Sequence, residues 1–515
     1  MGTEAVEDAI REHMVGREWE DAIALVEVHW PALSQHRLEF LGTFLNAVPE
    51  GFLRTSPRLV AAKDYANFLP AAGNVRPNRY QHSPTHRGGL LDVLAELTSQ
   101  SVAARFAGRF SDSVAAVREA QATIRDVSDT TLATIWPVLP DIRLQWAITL
   151  ELGGMLSDAS RCYEETYDEA LQFGNNRIAV EAAGTIAFNY GFSGDRKRAE
   201  NWLARRPTLS ESQTDTVRVM GELGQALLAA TALEPEQARA SLDSALSDDI
   251  APEPWALRLY TESILAVVDG DLRAQLARLS STRGAHPESA WNNGLNAEIL
   301  ALAEAELSLS SGDMHATQRA LTAVTWSGDL KPHATVLRAW AELRRGGAQK
   351  AVALAGTNTG RQVHVRVTAE RLAVLAAANL ALAQPKEAAA HFRSLIRLVL
   401  QEKLYSVLLR FTRTELETLI ADTDEAHSPE LTRVVTSLSL TLRQQRTLSL
   451  PNLSPRERVV LRHLVTDQTI QQIATTEHLS PNTIKSQART IYRKLGVTNR
   501  EQALRTVAAT PEILT

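Results

Sequence analysis

The sequence of 515 residues is short of several things, and each shortage narrows what the chain can be. It has a single cysteine, Cys162, so no intrachain disulfide can form, a cysteine-based metal site would be most unusual, and the usage fits a reducing cytoplasm. Aromatic residues reach only 5%. No run approaches the roughly 18 uncharged apolar residues of a membrane span. The acidic start, Met1-Gly-Thr-Glu-Ala-Val-Glu-Asp8, is followed by no apolar stretch that would mark a secretory signal. Sustained apolar/polar alternation with β-branched residues is missing too, so strands are not expected.

The chemistry of nucleotides and nucleophiles is equally thin. No Gly-x-x-x-x-Gly-Lys-Ser/Thr phosphate loop occurs; the nearest stretch, Gly346-Gly-Ala-Gln-Lys350, lacks both the spacing and the hydroxyl. There is no Gly-x-Ser-x-Gly, no nucleophile–base constellation, and none of the strand–helix alternation of a receiver domain. The sequence therefore nominates no catalytic residue, no cofactor and no metal ligand, and it reads as a non-enzyme. His82 and His86 have helical metal-pair spacing, but Ser83-Pro84 between them argues against a helix.

What is present is a soluble, core-forming composition, 44% hydrophobic and 22% charged. At roughly 150 residues per domain the length suits three to four domain-equivalents, or fewer if repeats extend one of them. The net charge of −6 conceals a division. From Arg443 onward eleven basic residues face five acidic ones, a balance of +6, which leaves −12 on the rest. A basic tail on an acidic body is the asymmetry of a nucleic-acid binder with a separate sensing part.

The body, residues 1–446, reads as helix almost throughout, with apolar residues at three- and four-residue intervals, as in Leu372, Leu375, Ala376, Asn379, Leu380 and Ala383. A local pattern recurs: a turn residue, four mostly polar positions, then a small residue. It runs Gly108-Arg-Phe-Ser-Asp-Ser113, Gly154–Ala159, Gly194–Ala199, Leu233–Ala238, Gly270–Gln275, Gly312–Thr317, Gly346–Ala351 and Ala383–Ala388, at intervals of 34 to 46 residues. Such a period, with glycine at the turn, marks stacked helical hairpins. Glycine lets the chain leave the first helix left-handed, and the small residue lets the second helix pack closely. A non-repetitive helical body is the alternative.

The pattern resembles the tetratricopeptide repeat in a long, irregular form, with Gly16-Arg-Glu-Trp-Glu-Asp-Ala22 as a degenerate first copy. The stretch Phe40–Pro49, with Leu53, Pro57, Arg58 and Leu59, resembles the start of the sensor region in MalT-like activators, here without their NTP-binding domain. Solenoids bind along their concave face, which makes Trp255, Trp291, Trp326 and Trp340 candidate liners of an effector surface. The basic segment 73–89, rich in Pro and Gly, is either an anion contact or a solvated insertion.

After a linker at 447–452 comes a module, 453–515, of four short helices. Ser454-Pro455-Arg-Glu457 forms a capping box with proline at the first helical position. A second helix runs from about Thr469, its cap, to Thr476. Ser480-Pro481 opens a third that stops at Gly496. At 100° per residue, Ile484, Ala488, Ile491 and Leu495 share one side of it, and Asn482, Lys485, Ser486, Arg489 and Arg493 the other. That is what entry into a major groove requires, though a solvated basic face has the same look. Leu453-Ser-Pro-Arg-Glu-Arg458, Ile473-Ala474, Leu479-Ser-Pro-Asn-Thr-Ile-Lys485, Ile491-Tyr-Arg-Lys-Leu-Gly-Val497 and Asn499-Arg-Glu-Gln-Ala503 resemble the LuxR-type helix-turn-helix family.

The resemblance implies an all-α fold, a tetratricopeptide-like solenoid followed by a four-helix LuxR-type domain. It also implies double-stranded DNA as partner. By position, Lys485, Ser486 and Arg489 would meet base edges, with Gln487 beside them. Thr469, Asn482, Thr483, Arg493 and Lys494 would hold phosphates. Ala503, Leu504 and Val507 would form a dimerisation surface, giving a homodimer on DNA. Arg456 and Glu457 would be scaffold. Glu477 stands where a buried leucine is usual, Ile470 where a polar residue is usual, and Gln487-Ala488 where His-Leu is common; a carboxylate near the DNA face would weaken binding. Function is then expected to be transcription regulation in the cytoplasm, with the body sensing a small-molecule or protein effector. The rival is an interaction scaffold whose helix-turn-helix is vestigial or docks a partner.

Overall fold

The computed structural model describes residues 3–55, 89–208, 218–245, 255–285, 292–357, 364–421 and 453–509, apart from single positions in the last stretch, together with a few positions in 59–63 and 431–436. The segment 73–88, the linker 447–452 and Trp291 lie outside the described residues. The fold is all-α, and no strand occurs among the described residues. Two compact units divide the chain, residues 1–437 and 438–515.

The first unit is a succession of antiparallel helical hairpins. Thr3–Gly16 pairs with Trp19–His36, Leu90–Phe106 with Phe110–Arg125, and Leu139–Leu152 with Leu156–Gln172. Asn176–Ser193 then pairs with Arg196–Ala204, Val219–Thr231 with Pro235–Ser244, and Ala256–Asp269 with Leu272–Ala285. Gly294–Ser310 with Met314–Thr322, Lys331–Arg344 with Ala348–Gly356, and Val365–Ala381 with Pro385–Glu402 complete the stack. A 3-10 segment, Tyr405–Arg410, and the helix Arg413–Ala421 follow.

The recurrent turn behaves as its chemistry requires. Gly108, Gly154, Gly194, Gly270, Gly312 and Gly346 all have φ between 71° and 89°. The two copies that lack glycine take the same left-handed conformation, Leu233 at 61° and Ala383 at 55°. Hydrogen bonds hold them there: Glu234 N donates to Ala229 O at 3.0 Å and Gln384 N to Asn379 O at 2.9 Å, the six-to-one bond of a Schellman end. In the first copy the left-handed residue is Arg17 (φ 60°), not Gly16, so that repeat starts one position later than its glycine suggests. The residue five positions on is buried in every copy from Ala22 to Ala388, and it is small in all of them except Gln275.

Packing is unequal between the two helices of a hairpin. The second helices are amphipathic: Leu156–Gln172 buries Ala159, Cys162, Tyr163, Thr166 and Ala170 on one face. First helices such as Asn176–Ser193 and Gly294–Ser310 are buried on nearly every side. A helix closed in all round needs small residues, and here they are Ala and Gly. Gly184 has Gly221 N only 2.8 Å from where a Cβ would sit.

The reason for that burial is that the array returns upon itself. Helix Leu139–Leu152 touches Gly294–Ser310, Asn176–Ser193 touches Val365–Ala381, and Val219–Thr231 touches Tyr405–Arg410. Polar bonds fasten these returns. Asn293 Nδ2 donates to Gly108 O at 3.0 Å, Ser157 N to Asp329 Oδ2 at 2.9 Å, and Arg196 N to Glu402 Oε2 at 3.0 Å. Asp329 and Glu402 thus cap helix N-termini far away in sequence, where a carboxylate is favoured. Trp340 is core, its indole N–H on Glu370 Oε2 at 2.9 Å, and Trp255 is buried; Trp326 is half-buried with its N–H on Leu321 O.

Candidate nucleic-acid interface

The second unit folds on a core of its own. Val460, Leu461 and Leu464 come from helix Pro455–Val465, Ile473 and Ala474 from Ile470–Thr476, Ile484, Ala488 and Ile491 from Pro481–Leu495, and Val507 from Arg500–Ala509. Each helix start is chemically specified. Ser454 Oγ accepts from Glu457 N at 3.2 Å while Ser454 N donates to Glu457 Oε2 at 2.6 Å, the reciprocal capping box. Thr469 and Gln472 repeat the device, with bonds of 3.3 and 2.8 Å. The Gln472 half of that box goes unread in the sequence, because glutamine in a polar run signals little by itself. Ser480 Oγ accepts from Thr483 N at 3.1 Å and opens the third helix.

The third helix presents Asn482, Lys485, Ser486, Arg489 and Arg493 as exposed residues, and its opposite face is the module's core. A cationic, hydrogen-bonding stripe is therefore held rigidly by packing behind it. Thr483 is half-buried, its hydroxyl 2.7 Å from that of Ser480, so it serves the turn first. Gln487 is half-buried with Oε1 sealed from solvent. Thr469 is exposed, but its N–H and hydroxyl are both taken by Gln472. Lys494 Nζ donates to Glu457 Oε2 at 2.6 Å, which ties the end of the third helix to the start of the first.

Two further contacts carry no sequence signal, since they join residues far apart on different helices. Arg500 donates to Leu464 O at 2.6 and 3.1 Å and to Gln468 O at 2.9 Å, closing the end of the first helix. Glu477, the carboxylate out of place for the family, caps the end of helix Ile470–Thr476 and lies 2.8 Å from His463 Nε2. Its charge is directed at the first helix. On the fourth helix, Ala503 and Val507 are buried in the module, and Leu504 is partly exposed.

The hydrogen bond from Lys494 holds the Glu457 carboxyl below the ordinary carboxylate range, helped by the Ser454 bonds. A depressed folded value stabilises the fold above the ordinary pKa of about 4.3, and the contribution disappears as pH falls through the lower folded value. Glu457→Gln is expected to cost the module about 1 kcal/mol. Amides of 455–465 should then exchange hydrogen about fivefold faster at neutral pH, and the gap to wild type should close in acid. Unchanged exchange at neutral pH would remove the clamp from the account.

Residues 451–507 match the family described as bacterial regulatory proteins, luxR family, so this four-helix unit is a LuxR-type helix-turn-helix domain. A stretch of 93 residues is 33% identical to the probable transcriptional regulatory protein NarL of Mycobacterium tuberculosis, in both the CDC 1551 / Oshkosh and the ATCC 25618 / H37Rv strains. The likeness covers 18% of this chain and 43% of each relative, so the chain spans less than half the length of the relatives it matches. No described helix is long and apolar enough to cross a membrane.

Proposed function

We propose that the chain is a sequence-specific DNA-binding transcription regulator acting in the cytoplasm. Helix Pro481–Leu495 enters the major groove; Lys485, Ser486 and Arg489 face base edges, Gln487 adds to the DNA-binding set, and Asn482, Thr483, Arg493, Lys494 and the Thr469 helix start meet phosphates. The unit works as a homodimer on DNA through Ala503, Leu504 and Val507 of helix Arg500–Ala509, Leu504 being partly exposed. The body, a tetratricopeptide-like array, senses a small molecule or a protein partner. One observation carries the reading. The outward face of the third helix is cationic and its inward face is the core of a domain that matches the luxR family.

Fluorescence anisotropy of the full chain on its own upstream DNA and on a scrambled duplex, at two salt concentrations, tests it. Specific binding should exceed scrambled binding by about a thousandfold. The logarithm of affinity should fall against that of salt with a slope of about −2 or steeper. Arg493 on two protomers supplies that minimum; Lys494, already paired with Glu457, adds less than a free cation. Salt-labile but sequence-blind binding would leave only a non-specific role.

A further inference from the structure

Where hairpin Asn176–Ala204 meets helix Val365–Ala381, aromatic and titratable side chains converge inside the array. The Phe192 ring lies 5.1 Å from that of Tyr260 and 4.8 Å from that of His333. His333 Nε2 is 3.0 Å from His364 Nδ1. Arg366 Nη1 donates to the Tyr260 hydroxyl at 2.8 Å, which fixes the plane of the guanidinium. Phe192, Tyr260, His333 and Arg366 are at most 5% exposed.

The other two nitrogens of Arg366, Nε and Nη2, are sealed from solvent and have no hydrogen-bond partner among the described residues. Leaving buried donors unpaired is costly, more so on a charged group. These two N–H groups lie side by side on one edge of the guanidinium, the fork that takes a carboxylate with two parallel bonds. The nearby carboxylates that could fill it are committed elsewhere. Arg410 bonds both Glu306 and Glu370, and the Trp340 indole donates to the second Glu370 oxygen. Arg366 also stands in the first turn of helix Val365–Ala381, whose N-cap, His364, makes no side-chain cap bond. The positive end of that helix therefore adds to the pull on an anion.

We infer that this cluster is an effector site for a small carboxylate, held two-pronged by Arg366 against the rings of Phe192, Tyr260 and His333. The inference rests on the proposal that the body senses an effector, and it names the ligand class. A singly charged carboxylate suits the place better than a phosphate dianion, because Glu306 and Glu370 are close by. Entry requires the hairpin and helix Val365–Ala381 to part. Their contact includes Gly194, where a Cβ would come within 2.7 Å of Arg366 N, and the neighbouring bond from Arg196 N to Glu402. Occupancy is thus coupled to how tightly the array closes, which is how a ligand shifts a two-state equilibrium.

The test is thermal unfolding of the full chain with millimolar sodium benzoate, sodium acetate or inorganic phosphate, without DNA. Benzoate should raise the body's midpoint by about 2 °C when present well above its dissociation constant, and phosphate should leave it unmoved. Arg366→Lys keeps the charge and removes the fork, so the benzoate shift should vanish while far-UV circular dichroism is unchanged. Tyr260→Phe keeps the charge and the ring, removes the acceptor of Arg366 Nη1 and so frees the guanidinium to turn; it should weaken benzoate about tenfold and covers the case in which the lysine variant misfolds. No shift with either carboxylate, an undiminished shift in both variants, or equal stabilisation by phosphate would each overturn the assignment. DNA affinity, read separately on the same protein, reports on the regulatory reading alone.

Discussion

Arg489→Ala is expected to weaken binding to the cognate site by about 1–3 kcal/mol, roughly 5- to 150-fold, and to leave binding to scrambled duplex nearly unchanged. The expectation follows from where the side chain sits. Arg489 is exposed one helical turn beyond Lys485, next to Ala488, which faces the core. Truncating it removes no core residue and no cap, so lost affinity should not reflect lost folding. An arginine at this height of a groove-bound helix can meet a guanine edge with two bonds, which a phosphate-holding residue cannot do. Arg493→Ala is the contrasting variant: it should lower affinity evenly on all sequences and make the salt slope shallower by about 1 per protomer. Anisotropy titrations of both variants on cognate and scrambled DNA separate the roles. If Arg489→Ala lost affinity equally on every duplex, Arg489 would be a backbone contact and the base-reading face would have to lie elsewhere.

Much of this architecture could be read from the chain, and the limit of legibility is physical. A hairpin turn is local: six residues specify a left-handed exit, a Schellman bond pair and a small contact residue. The same pattern therefore located turns even at Leu233 and Ala383, where no glycine helps. It failed by one residue at Gly16, because Arg17 adopts the left-handed conformation and glycine beside it is incidental. The capping box at Ser454 and the cap at Thr469 are local in the same sense. What the sequence does not reveal is summed over many hairpins. Ser157 meets Asp329, and Arg196 meets Glu402, only because helices far apart in sequence are brought into contact. No periodicity marks Asp329 or Glu402 as caps. The same holds within the module, where Glu477 looks like a misplaced charge until His463, on another helix, is set beside it. The candidate DNA face was legible because one helix carries it; the unpaired fork of Arg366 was not, because its surroundings come from several hairpins.

Arg410→Leu should cost the body about 3–5 kcal/mol at neutral pH, the usual price of removing one partner from a buried ion pair. Arg410 ends the 3-10 segment and bonds Glu306 and, through Nε at 3.3 Å, Glu370; the three side chains are 8%, 9% and 10% exposed. Without it Glu306 and Glu370 lose the cation that bonds both, and Glu370 keeps the Trp340 indole donor. Burial already pushes the Glu370 carboxyl up, against the downward pull of Arg410, and the variant loses that pull. An acid whose folded pKa lies above its unfolded value binds more protons when folded. Stability then falls as pH rises from the ordinary carboxylate value of about 4.3 through the raised one. The deficit of the variant should accordingly be largest at neutral pH and shrink toward about pH 5. Adding Glu306→Gln and Glu370→Gln, which keeps an acceptor for Trp340, should recover most of the loss at neutral pH. Urea unfolding followed by circular dichroism at both pH values decides the matter. A deficit of the same size at each would mean that Arg410 stabilises the return of the array by packing its stem, and that the two glutamates never needed its charge.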